Sequence, residues 1–430
     1  MSDRYDVIVA GAGFTGLSAA SALRDAGLSF CLLEARNRVG GRVEAERNAL
    51  GELIDTGGQF FCEDMPVVSE LAHRYRKSVV EAPVAGRSLV RPPLGTEDAA
   101  GDEYWRAVAA IRERLRSTDP DDSSVRDRTV AEWSADLPDP EYAREGFRGL
   151  VQGLWCRSAD EIPAWHLIEC ERRITNEEQE LQFFLRETMH SLADDIGRDL
   201  GDRLRLSMPV SMVRHSDDGV EIEAGTATLR ARRLILALPP SRAAKLDFSP
   251  ALPARLRSAL GGWRPGNVIK IFLRFETAFW RDRGLNGTVS WRHPAGLYVC
   301  DASHDDRHPG MVMFAGGPLS EEWAQGAEDA IRQRAISALV DVFGEEAASP
   351  LDVTVRNWVG DRWSGGAYND VLLDMEAHDA ESVLLDGHGA VIFASSELSP
   401  SFPGYIEGAI VAGRNAAREV VGSLARAPGI

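Results

Sequence analysis

Hydrophobic and polar positions follow two rhythms along this chain. Continuous aliphatic and β-branched runs, the pattern of strands buried on both faces, fall at 5–10, 29–33, 233–238, 267–275, 311–315 and 390–394. Further strands are predicted at 204–206, 210–215, 219–223 and 227–230, and at 288–291, 297–300 and 353–358. The segment SDDG, 216–219, is a hairpin turn in which Asp and Gly favour the reversal. Apolar residues at helical spacing predict helices over 64–76, 104–115, 130–133, 142–155, 179–200, 328–344 and 406–421. Residues 83–103 and 118–127, rich in Pro, Gly or acidic residues, read as loops.

This order alternates strand-rich segments with one long helical insertion. A chain of 430 residues exceeds what one core usually holds. The predicted fold is α/β, with a Rossmann-like dinucleotide domain interleaved with a mixed-sheet substrate domain. Residues 1–80, 201–245 and 386–430 are assigned to the first. Residues 246–385 form the sheet-containing substrate domain, and 81–200 its helical part.

The first forty residues sharpen this picture. A strand is followed by GAGFTG, a helix, a second strand and Glu34, 21 residues beyond Gly13. Gly11 permits the tight turn, Gly13 lets a pyrophosphate approach the backbone, and Gly16 lets helix and strand close. The free N–H groups of the helix start suit phosphates, and Glu34 suits a ribose hydroxyl. A second glycine pair, Gly40 and Gly41, follows among Arg36, Arg38 and Arg42. These residues do not choose between NAD and FAD.

Charge and cysteine content narrow the partners. The formal net charge is -18, which disfavours nucleic acid and anionic membranes. Cys31, Cys62, Cys156, Cys170 and Cys300 are scattered without metal-ligand spacing and are expected as reduced thiols in a cytoplasmic protein. The start MSDRYDVIVAGAG enters a strand directly, without a leader pattern. No apolar run is long enough to suggest a membrane span.

One residue breaks the hydrophobic pattern. Lys270 sits inside GNVIKIFLRF, residues 266–275. A buried ammonium needs polar partners or loses its proton, whereas a lysine at a strand edge keeps its head wet. The pattern alone leaves both readings open.

Taken in order, the motifs resemble those of the flavin-containing amine oxidases, the family of monoamine and polyamine oxidases. They are DVIVAGAGFTGLSAASALRDAG with LLEARNRVGGR, DTGGQF, PVSMV, LILALPP, NVIKIFLRF with Phe279 and Trp280, GGAY, and GYIEGAIVAGRNAAREV. They extend from residue 5 to about 421, while 61–200 resembles the family only in being helical. The resemblance implies FAD. It implies that Glu34 holds the adenosine ribose, Arg36 and Arg42 line the pyrophosphate side, and Val210 meets the adenine through its backbone. Gly57 and Gly58 would lie beside the flavin, with Gly41 and Glu397 among the cofactor contacts. The helix beginning near Tyr405 would point its positive end at the pyrimidine carbonyls. Lys270 would hydrogen-bond a water near flavin N5, and Tyr368 and Tyr405 would flank the amine.

The departures also carry expectations. Family members with covalent flavin have a cysteine just before the first cage tyrosine. Here that residue is Ala367, and Cys156 does not lie near the motif, so noncovalent FAD is expected. Ser395 and Ser396 stand where a Gly-Glu pair is more usual.

The implied reaction is oxidative deamination of an amine to an imine and then an aldehyde, with dioxygen reduced to hydrogen peroxide. Trp358 is expected to be structural, and His166 and His190 to lie outside the machinery. Acidic residues of 160–187, Glu180 among them, either read a distal ammonium or form a solvated face. The alternatives are an L-amino acid oxidase using Arg87, Arg91 or Arg157 for the carboxylate, a flavin desaturase, and a redox-silent FAD-binding partner protein. Oligomeric state is not legible.

Overall fold

The computed structural model describes residues 4–94, 101–216, 218–305 and 307–426. Among these, eight strands form one sheet. Its parallel centre is Phe30–Leu33, Arg4–Ala10 and Ala227–Leu236, and Val391–Phe393 pairs with the far side of Ala227–Leu236. Val7, Ile8, Val9 and Leu234 are fully buried, because helices cover both faces of a parallel sheet. Gly219–Ala224 and Val210–Ser216 extend the sheet antiparallel, Asp247–Ser249 adds to Val210–Ser216, and Leu204–Arg205 closes the other edge.

The runs at 227–230 and 233–238 are one strand, Ala227–Leu236. Its first half is half exposed and alternates, and its last three residues, Leu234, Ile235 and Leu236, are wholly buried, so the rhythm changes along the strand. Helices Phe14–Asp25 and Ile406–Arg426 pack against each other on this sheet. A Cβ at Gly413 would stand 2.1 Å from the Thr15 carbonyl oxygen, so only glycine permits this approach.

A second sheet has six strands among the described residues, in the order Asp352–Asn357, Val268–Arg274, Gly310–Gly316, Leu297–Asp301, Leu285–Trp291, Arg87–Arg91. One face, with Ile269, Ile271 and Leu273, packs on the helix Glu328–Phe343. The other face, with Val268 and Phe272, packs toward Ile54, Trp358 and Ala367. Strand alternation places Lys270 on this second face.

Several expectations change. Residues 83–103 are not all loop. Arg87–Arg91 is an edge strand parallel to Leu285–Trp291, a helix starts at Gly101, and 95–100 lie outside the described residues. The helix expected over 179–200 divides into a strand, Phe183–Leu185, paired with Val79–Glu81, and a helix, Met189–Leu200. Thr188 caps that helix by accepting from the Ser191 N–H at 3.2 Å. The helix Ala164–Arg172 escaped prediction because seven of its residues are buried, leaving no amphipathic stripe. The turn at 216–219 does join two antiparallel strands, although Asp217 lies outside the described residues.

The domain boundaries shift accordingly. Asp247–Ser249 belongs to the first sheet and Arg87–Arg91 to the second, while Met189–Leu200 packs on Phe14–Asp25. No helix among the described residues is long and apolar enough to cross a membrane. The five cysteines are buried free thiols.

Candidate active site

A cavity of about 1000 Å³ runs between the two sheets, at the upper end of the range for small-molecule sites. Gly11, Gly13, Gly41, Gly57 and Gly58 line it. Gly11 has φ +100°, and a Cβ there would meet the Ala237 carbonyl oxygen at 2.5 Å. Gly16 does not line the cavity. Its role is close packing, since a Cβ there would stand 1.8 Å from the Gly11 oxygen. The helix starting at Phe14 therefore opens directly onto the cavity with its first N–H groups free of intrahelical partners.

Glu34 directly follows the strand Phe30–Leu33 and lines the same space. One carboxylate oxygen accepts from the Ala12 N–H at 2.7 Å and the other from the Arg36 N–H at 2.8 Å. Each oxygen keeps a lone pair for a hydroxyl. Arg36 pairs with Asp361 at 2.6 Å, and Arg42 pairs with Glu397 at 2.6 Å and donates to Ser396 at 3.0 Å. Arg36, Arg42 and Val210 line the cavity. Glu397 does not border it: it pairs with Arg42 and also accepts from the Asp370 N–H, and so positions a lining residue.

The lining also leaves polar atoms to a ligand. Arg242 Nε, Asn369 Oδ1 and Ser395 Oγ are buried without a hydrogen-bond partner, and all three residues border the cavity. Buried orphans of this kind are rare in native proteins unless something absent satisfies them. Together with Lys245 and Arg362 in the same wall, they fit an anionic, hydroxyl-rich ligand such as a dinucleotide.

Lys270 is 2 % exposed and borders the cavity beside the Asp55–Gln59 loop. Its Nζ donates to Asp55 O at 2.7 Å, Gly57 O at 2.7 Å and Gln59 Oε1 at 2.9 Å. The wet-headed edge lysine is therefore excluded. Burial pulls the ammonium pKa down, and the Asp55 carboxylate opposes the shift. Burial likewise pushes Asp55 up, although Asp55 accepts from the Met189 and His190 N–H groups at a helix start. Three acceptors around Nζ require three N–H donors, so this geometry holds the charged form.

Tyr368 and Tyr405 come from distant segments and border the same cavity. Tyr368 meets Phe314 edge-on at 6.0 Å, and Tyr405 meets Phe402 edge-on at 5.9 Å. Burial holds both phenols well above the ordinary tyrosine range. Tyr405, Ile406 and Ala409 bring the first turn of Ile406–Arg426 to the cavity wall.

Cys156 corrects one expectation. It packs in the cluster holding Ala367 and Tyr368, so it does lie near the motif in space. It is fully buried and does not border the cavity. Trp358 is also outside the cavity, its indole N–H donating to Thr56 O at 2.9 Å. His166 and His190 do not line it either, nor do Arg87, Arg91 or Arg157. Sequence reasoning missed Arg112 as a lining residue, and left Glu180, beside it, unassigned. Both sit in segments that read as ordinary charged surface.

The comparisons with known proteins decide the family. Residues 14–421 match the family model of flavin containing amine oxidoreductases. The chain belongs to that family. This amine oxidase is 28% identical to the flavin-containing amine oxidase of Danio rerio, across 99% of the chain and 87% of that protein. It is 24% identical to the L-amino acid dehydrogenase of Synechocystis, across 98% of the chain and 96% of that protein. Among solved structures, the cyclohexylamine oxidase of Brevibacterium oxydans IH-35A superposes with a TM-score of 0.88 at 26% identity, covering 98% of this chain and 100% of that one. A putrescine oxidase variant superposes at 0.89 with 23% identity and the same coverage, which speaks to fold alone. The chain is an oxidoreductase that deaminates amines oxidatively with a flavin, giving hydrogen peroxide.

Proposed function

We propose that this enzyme binds FAD noncovalently on a Rossmann-like domain and oxidises a primary amine that carries an apolar body. The observation that carries the reading is one continuous cavity. It joins the glycine cradle and orphaned polar atoms to Lys270, Tyr368 and Tyr405, and then to a channel walled by Trp105, Val108, Leu150 and Leu154.

Gly11, Gly13, Gly41 and the helix start at Phe14 would hold the pyrophosphate, Glu34 the ribose and Val210 the adenine. Arg36 and Arg42 would supply positive charge, Arg42 being fixed by Glu397. Gly57 and Gly58 would border the flavin ring. When bound, FAD supplies the oxidant, taking a hydride equivalent from the amine carbon and passing it to dioxygen. Ala367 in place of a cysteine, and a buried Cys156, support a noncovalent cofactor.

The chain's own residues supply orientation and desolvation. The phenols of Tyr368 and Tyr405 would flank the amine nitrogen. The apolar channel favours the neutral amine, whose lone pair is available. Lys270 would hold a water beside the reacting ring. Gln59, the one side-chain acceptor among its three partners, can turn aside to free that donor. A cytoplasmic location is proposed from the five separate thiols.

An amino acid substrate is the second reading, because Arg112 borders the cavity. Its guanidinium is already engaged by two carboxylates, which weighs against it. A peroxidase-coupled assay over alkylamines, cycloalkylamines, diamines and L-amino acids tests the reading. Peroxide from amines with an apolar body is expected, and peroxide from amino acids alone would contradict it. Acid precipitation should release the flavin as free FAD.

A further inference from the structure

We propose that Arg112 masks the Glu180 carboxylate in the substrate channel, and that this makes the enzyme select monoamines over diamines. The inference rests on the amine-oxidising reading above and concerns its specificity.

The helix Gly101–Ser117 lays Asp102, Trp105, Val108 and Arg112 along one wall of the channel. These positions follow the spacing of a single helix face. Leu150 and Leu154 of Glu141–Trp155, a helix packed against it, line the same cavity. Apart from the Lys270 ammonium, the charged groups among the described residues bordering the substrate side are Asp102 and the pair Arg112 and Glu180. Arg112, Glu180 and Tyr405 line the same cavity, and burial and then Glu180 raise the Tyr405 phenol while Arg112 opposes them.

A free carboxylate there would attract a second ammonium in a substrate. Glu180 is not free: its Oε1 accepts from Arg112 Nη2 at 2.8 Å. Arg112 is itself anchored from behind. Its Nε and Nη2 donate to the two oxygens of Glu171 at 2.7 and 3.3 Å. Glu171 is 3 % exposed, and it also accepts from Arg116 at 3.2 Å and from the Trp155 indole at 3.4 Å. The guanidinium is therefore held in place against Glu180, with Nε and Nη2 both engaged by carboxylates. A distal ammonium entering this channel loses hydration and finds a carboxylate already neutralised. An apolar tail loses nothing there.

The test compares kcat/KM for a linear α,ω-diamine with that for the monoamine of equal length, using flavin-loaded enzyme. Arg112→Met is neutral and of similar reach, and should raise the diamine-to-monoamine ratio about tenfold or more. Arg112→Lys keeps the charge and should hold the ratio near that of the unmodified enzyme. Arg112→Met combined with Glu180→Gln should reverse the gain. Glu180→Gln alone should move the ratio less than about threefold, since it removes a carboxylate that is already paired. An unchanged ratio in an Arg112→Met protein that keeps its flavin and melts cooperatively would overturn the proposal. If that variant does not fold, Glu180→Gln decides, because a collapse of diamine turnover would show Glu180 reading a cation directly. Loss of amino acid turnover in Arg112→Met, from an enzyme that prefers amino acids, would also overturn it. If neither amine yields peroxide in the unmodified enzyme, it is the amine-oxidising reading that fails.

Discussion

Replacing Lys270 with methionine would strand three buried acceptors: Asp55 O, Gly57 O and Gln59 Oε1. Unpaired buried acceptors are costly, so Lys270→Met is expected to lose about 2–4 kcal/mol of stability in urea unfolding. It should still bind flavin, because no FAD contact proposed here uses Nζ. In stopped-flow mixing with oxygen, return of the oxidised visible band should slow by about 10²-fold. An unaltered rate would leave Lys270 a structural residue. Lys270 was legible in the sequence because an ammonium interrupts a strand that is otherwise apolar. Arg112 was not, because a cation on an amphipathic helix looks like solvent-facing charge until its neighbours are known. Glu397 looked like a ligand contact from its motif, whereas its pairing with Arg42 depends on side-chain direction and is not legible in residue type.

Two helices carry predictions of their own. Ile406–Arg426 meets Phe14–Asp25 through Gly413, where an added Cβ would strike the Thr15 carbonyl. Gly413→Val should push the helices apart and cost about 1–3 kcal/mol. The first turns of both helices border the cavity, so flavin affinity should fall in the same variant, as read by fluorescence titration. Ala164–Arg172 buries His166, whose Nε2 lies 3.4 Å from the Leu372 N–H. Burial pulls this imidazole down to about 3, with Arg173 adding to the shift. The folded chain thus holds it neutral while the unfolded chain takes a proton below about 6.5. Its contribution is complete above that pH and fades as pH falls toward 3, reaching a loss of about 3 kcal/mol at pH 4. Buried acids such as Asp55 shift the other way, so the informative quantity is a difference. His166→Gln should show a flatter decline in Tm from pH 6.5 to 4 than the unmodified protein. Cys170 and Glu381 lie near His166, but Arg173 engages both Glu381 oxygens, and the cluster reads as a satisfied polar core. The helix itself was missed because burial on nearly every side erases the periodicity that marks a helix in sequence.

At the scale of the molecule, the two sheets and their interleaving were legible because strands buried on both faces leave unbroken apolar runs. The boundaries were not. Asp247–Ser249 is three residues long and Arg87–Arg91 is an edge strand with charged ends, and each joins its sheet through backbone pairing that leaves little trace in composition. The cavity between the sheets implies that the cofactor cements them together. Free FAD added to flavin-stripped protein at 100 times its Kd should raise stability by about 2.7 kcal/mol, seen as a higher Tm. The central claim is that this one cavity brings an amine to a bound flavin between Tyr368, Tyr405 and Lys270. The most direct measurement is an anaerobic titration of the purified holoenzyme with a monoamine bearing an apolar body, following the visible flavin band. The account predicts bleaching complete at one equivalent of amine per flavin, with peroxide formed when oxygen is admitted. A bound flavin that keeps its oxidised spectrum against every amine offered would contradict it.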